Sequence, residues 1–491
     1  MTGIQLDWND VLSNLKAIQG KLILIGVLLA AMIVLVVLGK RVFKDKVTRG
    51  FFRKEVVLCF LLALAIIVNS ILLVEERELL NSAFTEFDTL SAESIANSRD
   101  VIEEVAEEGI VLLENRNLPL TGTTKLNVFG WASTNPVYGG TGSGTVNAAT
   151  AVGVIEGLQN AGYEVNTELS DFYAAYRSDR PAITINNGQD WTLPEPTISS
   201  YSDSILANAK SFSDSAVVVI ARCGGEGADL PKDMGGVAKI AYNVETPSNP
   251  WEGSEYYKGT KYTKAFYKNN GNYDDFGAGD SYLQLSRTEA DLVDYVCSNY
   301  DNVVIVYNGS NVFELGWVKD YPSISGVLIC PSAGLTGFSA LGSIISGKVN
   351  PSGKTVDTWL RDVTLAPTFN NVGHYAYTNV SDITEAAYNY VNSAFGMTNV
   401  DKVVSFVNCT EGIYMGYRFY ETAYVEAQNG DFDWNYDDVV TYPFGYGESY
   451  TTFSKAFESM TENNGVVTVT VTVTNTGSVA GKDVVDRKSV V

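Results

Sequence analysis

The run SAVVVIARCGGEGADL, residues 215–230, decides the fold class. Its first part, 216–222, is an apolar strand, almost all Val and Ile, that ends at Arg222 and runs straight into Gly224, Gly225, Glu226 and Gly227. In open α/β sheets the loops leaving the carboxyl ends of strands are where ligands bind. A carboxylate on a backbone this bare is open to close approach by a substrate, so Glu226 is a candidate general acid/base. Arg222 must not pair with it directly, because a neighbouring guanidinium lowers a carboxyl pKa and a general acid needs it raised. Asp229, three residues on, serves either to orient a hydroxyl or to cap the next segment.

Outward from this run, short apolar strands alternate with amphipathic helices. Strands are expected at 110–113, 126–129, 216–222, 303–307 and 326–330, and helices at 149–161, 288–300 and 335–346. That pattern is an α/β layer domain, an open and mostly parallel sheet sandwiched by helices. The loop YGGTGSG, 138–144, follows the strand LNVFG and precedes a helix, but it lacks the Lys-Ser/Thr ending of a P-loop and does not satisfy GxGxxG. It reads as a tight turn walling a polar ligand, with Tyr138 and Ser143 as candidate ligand contacts. Trp251 and Trp434 also lie in polar or acidic loops, whereas Trp317 beside a strand end reads as core.

Composition narrows the chemistry. The 491 residues are 45% hydrophobic and 11% aromatic, a globular composition. A net charge of −23 repels the phosphate backbone, which excludes nucleic acid as a natural partner. A single histidine, His374, removes multi-histidine zinc sites and makes imidazole catalysis a poor expectation; it reads as a loop residue. Five scattered cysteines form no CxxC pair, and Cys330 at the end of GVLIC reads as a small buried hydrophobe.

At the N-terminus, 22–39 is 18 uncharged residues and 56–74 is 19, each near the ~20 that cross a bilayer as a helix. Between them, 40–55 holds Lys40, Arg41, Lys44, Lys46, Arg49, Arg53 and Lys54 against Asp45 and Glu55, a positive-inside signal. The expectation is a two-helix transmembrane hairpin with residues 1–21 outside, 40–55 cytoplasmic, a polar stalk over 75–97 and an extracytoplasmic globular domain over 98–456. From Gly465 strict alternation (VVTVTVTVTNTG) reads as half-buried antiparallel strands opening a β-sandwich over 457–491. Too few residues remain to complete one, and the final DRKSVV breaks the pattern; the chain is expected to be a fragment of a longer protein.

Six segments occur together and in order: EEGIVLLEN followed by LPL (107–120), YGGTGSG, GGEGADL, NGSNVFELGW (308–317), EGIYMGYRFYET (411–422) and YPFGYGESYTTF (442–453). Jointly they resemble the α/β-sandwich domain of glycoside hydrolase family 3, over residues 91–453. The alternating tail resembles the start of the fibronectin type III-like domain that often follows. The resemblance implies a retaining β-glucosidase-type enzyme acting on β-glucosides or β-xylosides, with no metal or organic cofactor. Glu226 occupies the position of the acid/base glutamate and Asp229 an acidic position of the same loop, while Leu230 stands where many members have a basic residue. The nucleophile is implied to lie on a (β/α)8 barrel, for which this chain has no room before the sandwich domain; some members carry the barrel last. Ser170-Asp171-Phe172 imitates the nucleophile motif in three letters, but it opens an amphipathic helix where Ser and Asp read as caps. A membrane-tethered carbohydrate-binding or scaffolding module is the alternative reading.

Overall fold

The computed structural model describes residues 18–71, 91–176, 178, 193–226, 230, 233–234, 275–371, 407–430 and 433–485. The chain divides into two compact units, 1–94 and 95–491. The first contains two antiparallel-connected helices, α1 (Gln19–Val42) and α2 (Lys46–Ser70). One of them, α1, is long and apolar enough to cross a membrane. Asp45 caps α2 by accepting from the Thr48 amide at 2.6 Å, which supplies one of the acceptors that a helix start lacks. Between the two helices the Phe43 and Phe52 rings meet at 5.0 Å.

The second unit opens with helix α3 (Ala92–Gly109) and is organised by a six-stranded sheet. Its strands are β1 (Val111–Asn115), β2 (Lys125–Phe129), β3 (Glu164–Val165), β4 (Ser215–Ala221), β5 (Asn302–Asn308) and β6 (Ile324–Cys330). They lie in the order β1-β6-β5-β4-β2-β3, with β1 antiparallel to β6 and every other pairing parallel. The expected mixed, mostly parallel α/β sheet is therefore present, and each expected strand falls within two residues of an observed one.

The apolar runs of β4 and β5 are explained by burial on both faces. Ala216, Val218, Ile220, Val303, Ile305 and Tyr307 face α5 (Thr167–Ala175), α6 (Asp203–Phe212) and α7 (Arg287–Asn299) through Leu169, Ala209 and Val293. Their neighbours Val217, Val219, Val304 and Val306 face α4 (Val154–Asn160) and α8 (Gly337–Ser346) through Leu158, Phe338 and Leu341. Each Val, Ile, Leu or Phe among them contributes roughly 1.5–3 kcal/mol on burial. Trp317 is half-buried against the first of these faces, as expected of a core residue. Cys330 is buried, and burial pushes its thiol up to about 12.

Three local expectations are corrected. The helix placed over 149–161 starts at Val154, because Gly153 is extended and residues 148–150 form a separate 3-10 turn. Ser170 and Asp171 are not caps: α5 begins at Thr167, its cap is Asn166, and the Ser170 hydroxyl donates back to the Thr167 carbonyl at 3.1 Å. The alternating tail forms an antiparallel hairpin, β9 (Phe453–Asn463) and β10 (Val466–Asn475), but nearly all its residues on both faces are exposed rather than half-buried. Its preceding pair, β7 (Trp359–Leu360) and β8 (Val440–Tyr442), closes a small sheet of its own.

Candidate functional site

The sheet order reverses beside β2, which has β3 on one side and β4 on the other. Loops that diverge at such a point leave a crevice at the carboxyl ends of the strands. Here the two glycine-rich loops meet. Gly225 lies so close to the other loop that a Cβ on it would sit 2.6 Å from the Thr141 amide nitrogen. The Thr141 hydroxyl donates to the Glu226 carbonyl at 2.6 Å. The YGGTGSG loop therefore packs on the GGEGADL loop and is not a helix N-terminus: its own 3-10 turn, Gly142–Gly144, ends well before α4.

Glu226 is exposed at this junction. Its Oε2 accepts from the Ser143 hydroxyl at 2.6 Å and from the Ser143 amide at 2.8 Å, while its Oε1 accepts no hydrogen bond among the described residues. Those donors, the hydroxyl first and the amide second, hold the carboxyl below its ordinary value. Gly142 has φ +63° and a Cβ there would fall 2.3 Å from Glu226 Oε2, so the approach requires glycine on two counts.

Arg222 keeps clear of Glu226, as the sequence required. It is fully buried and forks onto Glu289, with Nη1 to Oε1 at 2.8 Å and Nη2 to Oε2 at 2.6 Å. Its Nε and second Nη2 bond go to the carbonyls of Tyr282 and Gln284 at 2.5 and 2.7 Å. A buried charge satisfied in this way fixes where β4 ends and the Glu226 loop starts. Asn308, buried at the end of β5, ties three loops together: its Oδ1 accepts from the Val137 amide at 2.6 Å, and its Nδ2 donates to the carbonyls of Val137 and Cys330.

Beneath the loops lies a cavity of about 450 Å³ whose lining includes Trp131, Tyr138, Glu195, Cys223, Tyr282 and Glu289. Glu195 is 5% exposed; its Oε2 accepts from the Trp131 amide at 2.8 Å. Burial raises its carboxyl to about 8, an effect the Trp131 amide only partly offsets. Burial thus favours the protonated form of Glu195, next to the Tyr173–Tyr201 hydroxyl pair at 2.5 Å.

The structure thus brings together Glu226 and Ser143 and places Tyr138 nearby. Tyr138 does not stand clear of its loop: its ring is half-buried, edge-on to Phe338 with centroids 5.7 Å apart. Asp229, His374 and Trp251 lie outside the described residues, and Trp434 packs in a satellite cluster around Leu360 and Tyr420. Sequence reasoning missed Asn308, Glu195 and Glu289. Only Glu289 left a local trace, the capping box it forms with Ser286 at the start of α7.

A model of the glycosyl hydrolase family 3 C-terminal domain matches residues 110–450. Beta-glucosidase A of Butyrivibrio fibrisolvens is 30% identical over 419 residues, covering 80% of this chain and 42% of that protein. A beta-glucosidase of Ruminococcus albus is 28% identical over 386 residues, covering 78% of this chain and 31% of its own length. Among solved structures, a beta-glucosidase from Paenibacillus barengoltzii aligns with a TM-score of 0.54 at 26% identity, over 80% of this chain and 34% of that one. Beta-glucosidase 3B from Thermotoga neapolitana, solved in complex with glucose, shares the fold with a TM-score of 0.54 at 24% identity, over 79% of this chain and 43% of that one. The chain spans less than half the length of these relatives.

Proposed function

The chain belongs to glycosyl hydrolase family 3 through its C-terminal-type α/β domain, and from that premise we propose that it supplies the general acid/base, Glu226, for retaining hydrolysis of β-glucosides or β-xylosides. One observation carries the proposal. Glu226 projects from a glycine-flanked bend at the switch point of the sheet, with one oxygen steadied by Ser143 and the other left open. In the first step its proton goes to the departing glycosidic oxygen; in the second the carboxylate takes a proton from the water that releases the sugar. The partner carboxylate must stand about 5–5.5 Å away, and we assign it to a barrel domain of the same enzyme.

Glu226 must be protonated to begin this cycle, yet in this domain the Ser143 donors lower its carboxyl pKa. Covering the site with a sugar and a second domain removes water, and desolvation raises a carboxyl pKa. Ser143 then acts by positioning Glu226 rather than by touching sugar, while Tyr138 and Asp229 remain the proposed sugar contacts. In the natural protein, Glu226→Gln should slow substrates with poor leaving groups by about 10²–10⁴-fold and spare activated aryl glycosides, which need little protonation. Equal, small losses on both substrate classes would remove Glu226 from the mechanism.

The same proposal places the catalytic domain outside the cell. Helix α1 and residues 56–74 form the two spans, with the basic 40–55 turn on the cytoplasmic side. The β9–β10 hairpin is read as the start of a fibronectin type III-like module.

A further inference from the structure

We propose that the turn between α1 and α2 is a binding surface for the anionic headgroups of the bilayer, an inference that rests on the two-span reading above. Seven of the chain's 34 lysines and arginines fall within residues 40–55 of a protein whose net charge is −23. Asp45, one of two carboxylates there, is already engaged: its Oδ2 accepts from both the amide and the hydroxyl of Thr48, at 2.6 and 2.7 Å. Among the described residues none of the seven cations is within 4.0 Å of a carboxylate, whereas lysines elsewhere in the chain form ion pairs. Positive charge of this density without internal partners needs counter-charge from outside the chain.

The turn is also built to hold its shape. Gly39 is buried, and the Phe52 ring lies where a side chain would be, 2.8 Å from a Cβ added to Gly39. Phe43 packs on the same ring, and Arg49 Nη2 donates to the Lys44 carbonyl at 2.9 Å. The helices therefore approach closely at the basic end, and the cations are gathered at one membrane face, where lysine and arginine stems reach back to the headgroup level. Lipid phosphates offer acceptors matched to the arginine fork and to the lysine ammonium. Juxtamembrane cations are each worth about a fivefold preference for an anionic surface.

The test uses the full chain reconstituted into vesicles. Flotation with pure phosphatidylcholine vesicles reports insertion alone. Spin-labelled phosphatidylglycerol and phosphatidylcholine, compared in mixed vesicles, then report which lipid is immobilised at the protein. Phosphatidylglycerol should be enriched, and the enrichment should shrink in about 1 M salt, where the screening length falls to about 3 Å. Replacing Lys44, Lys46 and Arg49 by Gln should reduce enrichment by about fivefold per cation while leaving flotation unchanged. Equal retention of the two lipids, an unaltered preference in the triple variant, or displacement by inorganic phosphate would overturn the proposal. A chain that does not float overturns the membrane reading and this one with it; a chain that floats without lipid preference overturns this one alone.

Discussion

At Glu226 a hydroxyl and an amide from one residue, Ser143, converge on a single carboxylate oxygen, and that convergence holds the carboxyl pKa below its ordinary value. Ser143→Ala removes the stronger of the two donors. The Glu226 pKa should rise toward the ordinary carboxyl value, read by NMR titration of the carboxyl carbon; an unmoved titration would mean that the hydrogen bond is not what sets it. Glu195 is the opposite case. Its carboxyl is raised to about 8 by burial, while the unfolded chain releases the same proton near the ordinary glutamate value of 4.5. Between those values the folded state holds a proton that the unfolded state has lost, so stability falls as pH rises through that window. Glu195→Gln should abolish this loss, making the variant less sensitive than the parent to a change from about pH 5 to about pH 9 in urea denaturation. Parallel pH profiles would contradict the assignment.

Helices α4 and α8 show how an element contact is set by what is missing. A Cβ on Gly157 would lie 2.1 Å from the Phe338 carbonyl oxygen, and one on Gly342 would lie 2.2 Å from the Gly157 carbonyl oxygen. The two backbones touch, and both obstructing neighbours are backbone atoms that cannot swing aside. Gly157→Ala would be favoured by helix propensity but must push the helices apart, so a net loss of about 1–3 kcal/mol is expected. Thermal denaturation measures it, and a stabilised variant would refute the close crossing. The β9–β10 hairpin teaches a different lesson about elements. Its Val-Thr alternation correctly announced strands, yet alternation specifies only that one face is apolar and says nothing of what covers it.

For the whole molecule, the expected orientation follows from charge around the spans. Cys409 is exposed in the second unit, so a membrane-impermeant maleimide should label it in intact cells. Labelling that appears only after the cells are opened would reverse the topology. Much of the rest was legible beforehand. Strands β4, β5 and β6 were evident because a strand buried on both faces must be apolar at nearly every position, a property written in adjacent letters. The glycines that flank Glu226 are visible in the chain, and Arg222 pairs with Glu289 rather than with Glu226, as the pKa argument required.

The partners of those residues were not legible. Ser143 and Glu226 are 83 positions apart, Arg222 and Glu289 67, and Val137 and Asn308 171. No local periodicity connects such pairs; they meet because parallel strands bring the carboxyl ends of β2, β4 and β5 to one edge. Likewise, Glu195 is an ordinary acidic residue in the sequence, and its carboxyl pKa rises only when packing strips its water away. The sequence by itself determined the fold class, the apolar run of α1 and the glycine-flanked placement of Glu226, because each depends on residues adjacent in the chain. Only the tertiary structure decided which charges are paired, which carboxyl pKa is raised and which lowered, and where a cavity lies, because solvent exclusion and long-range approach exist only once the sheet has formed.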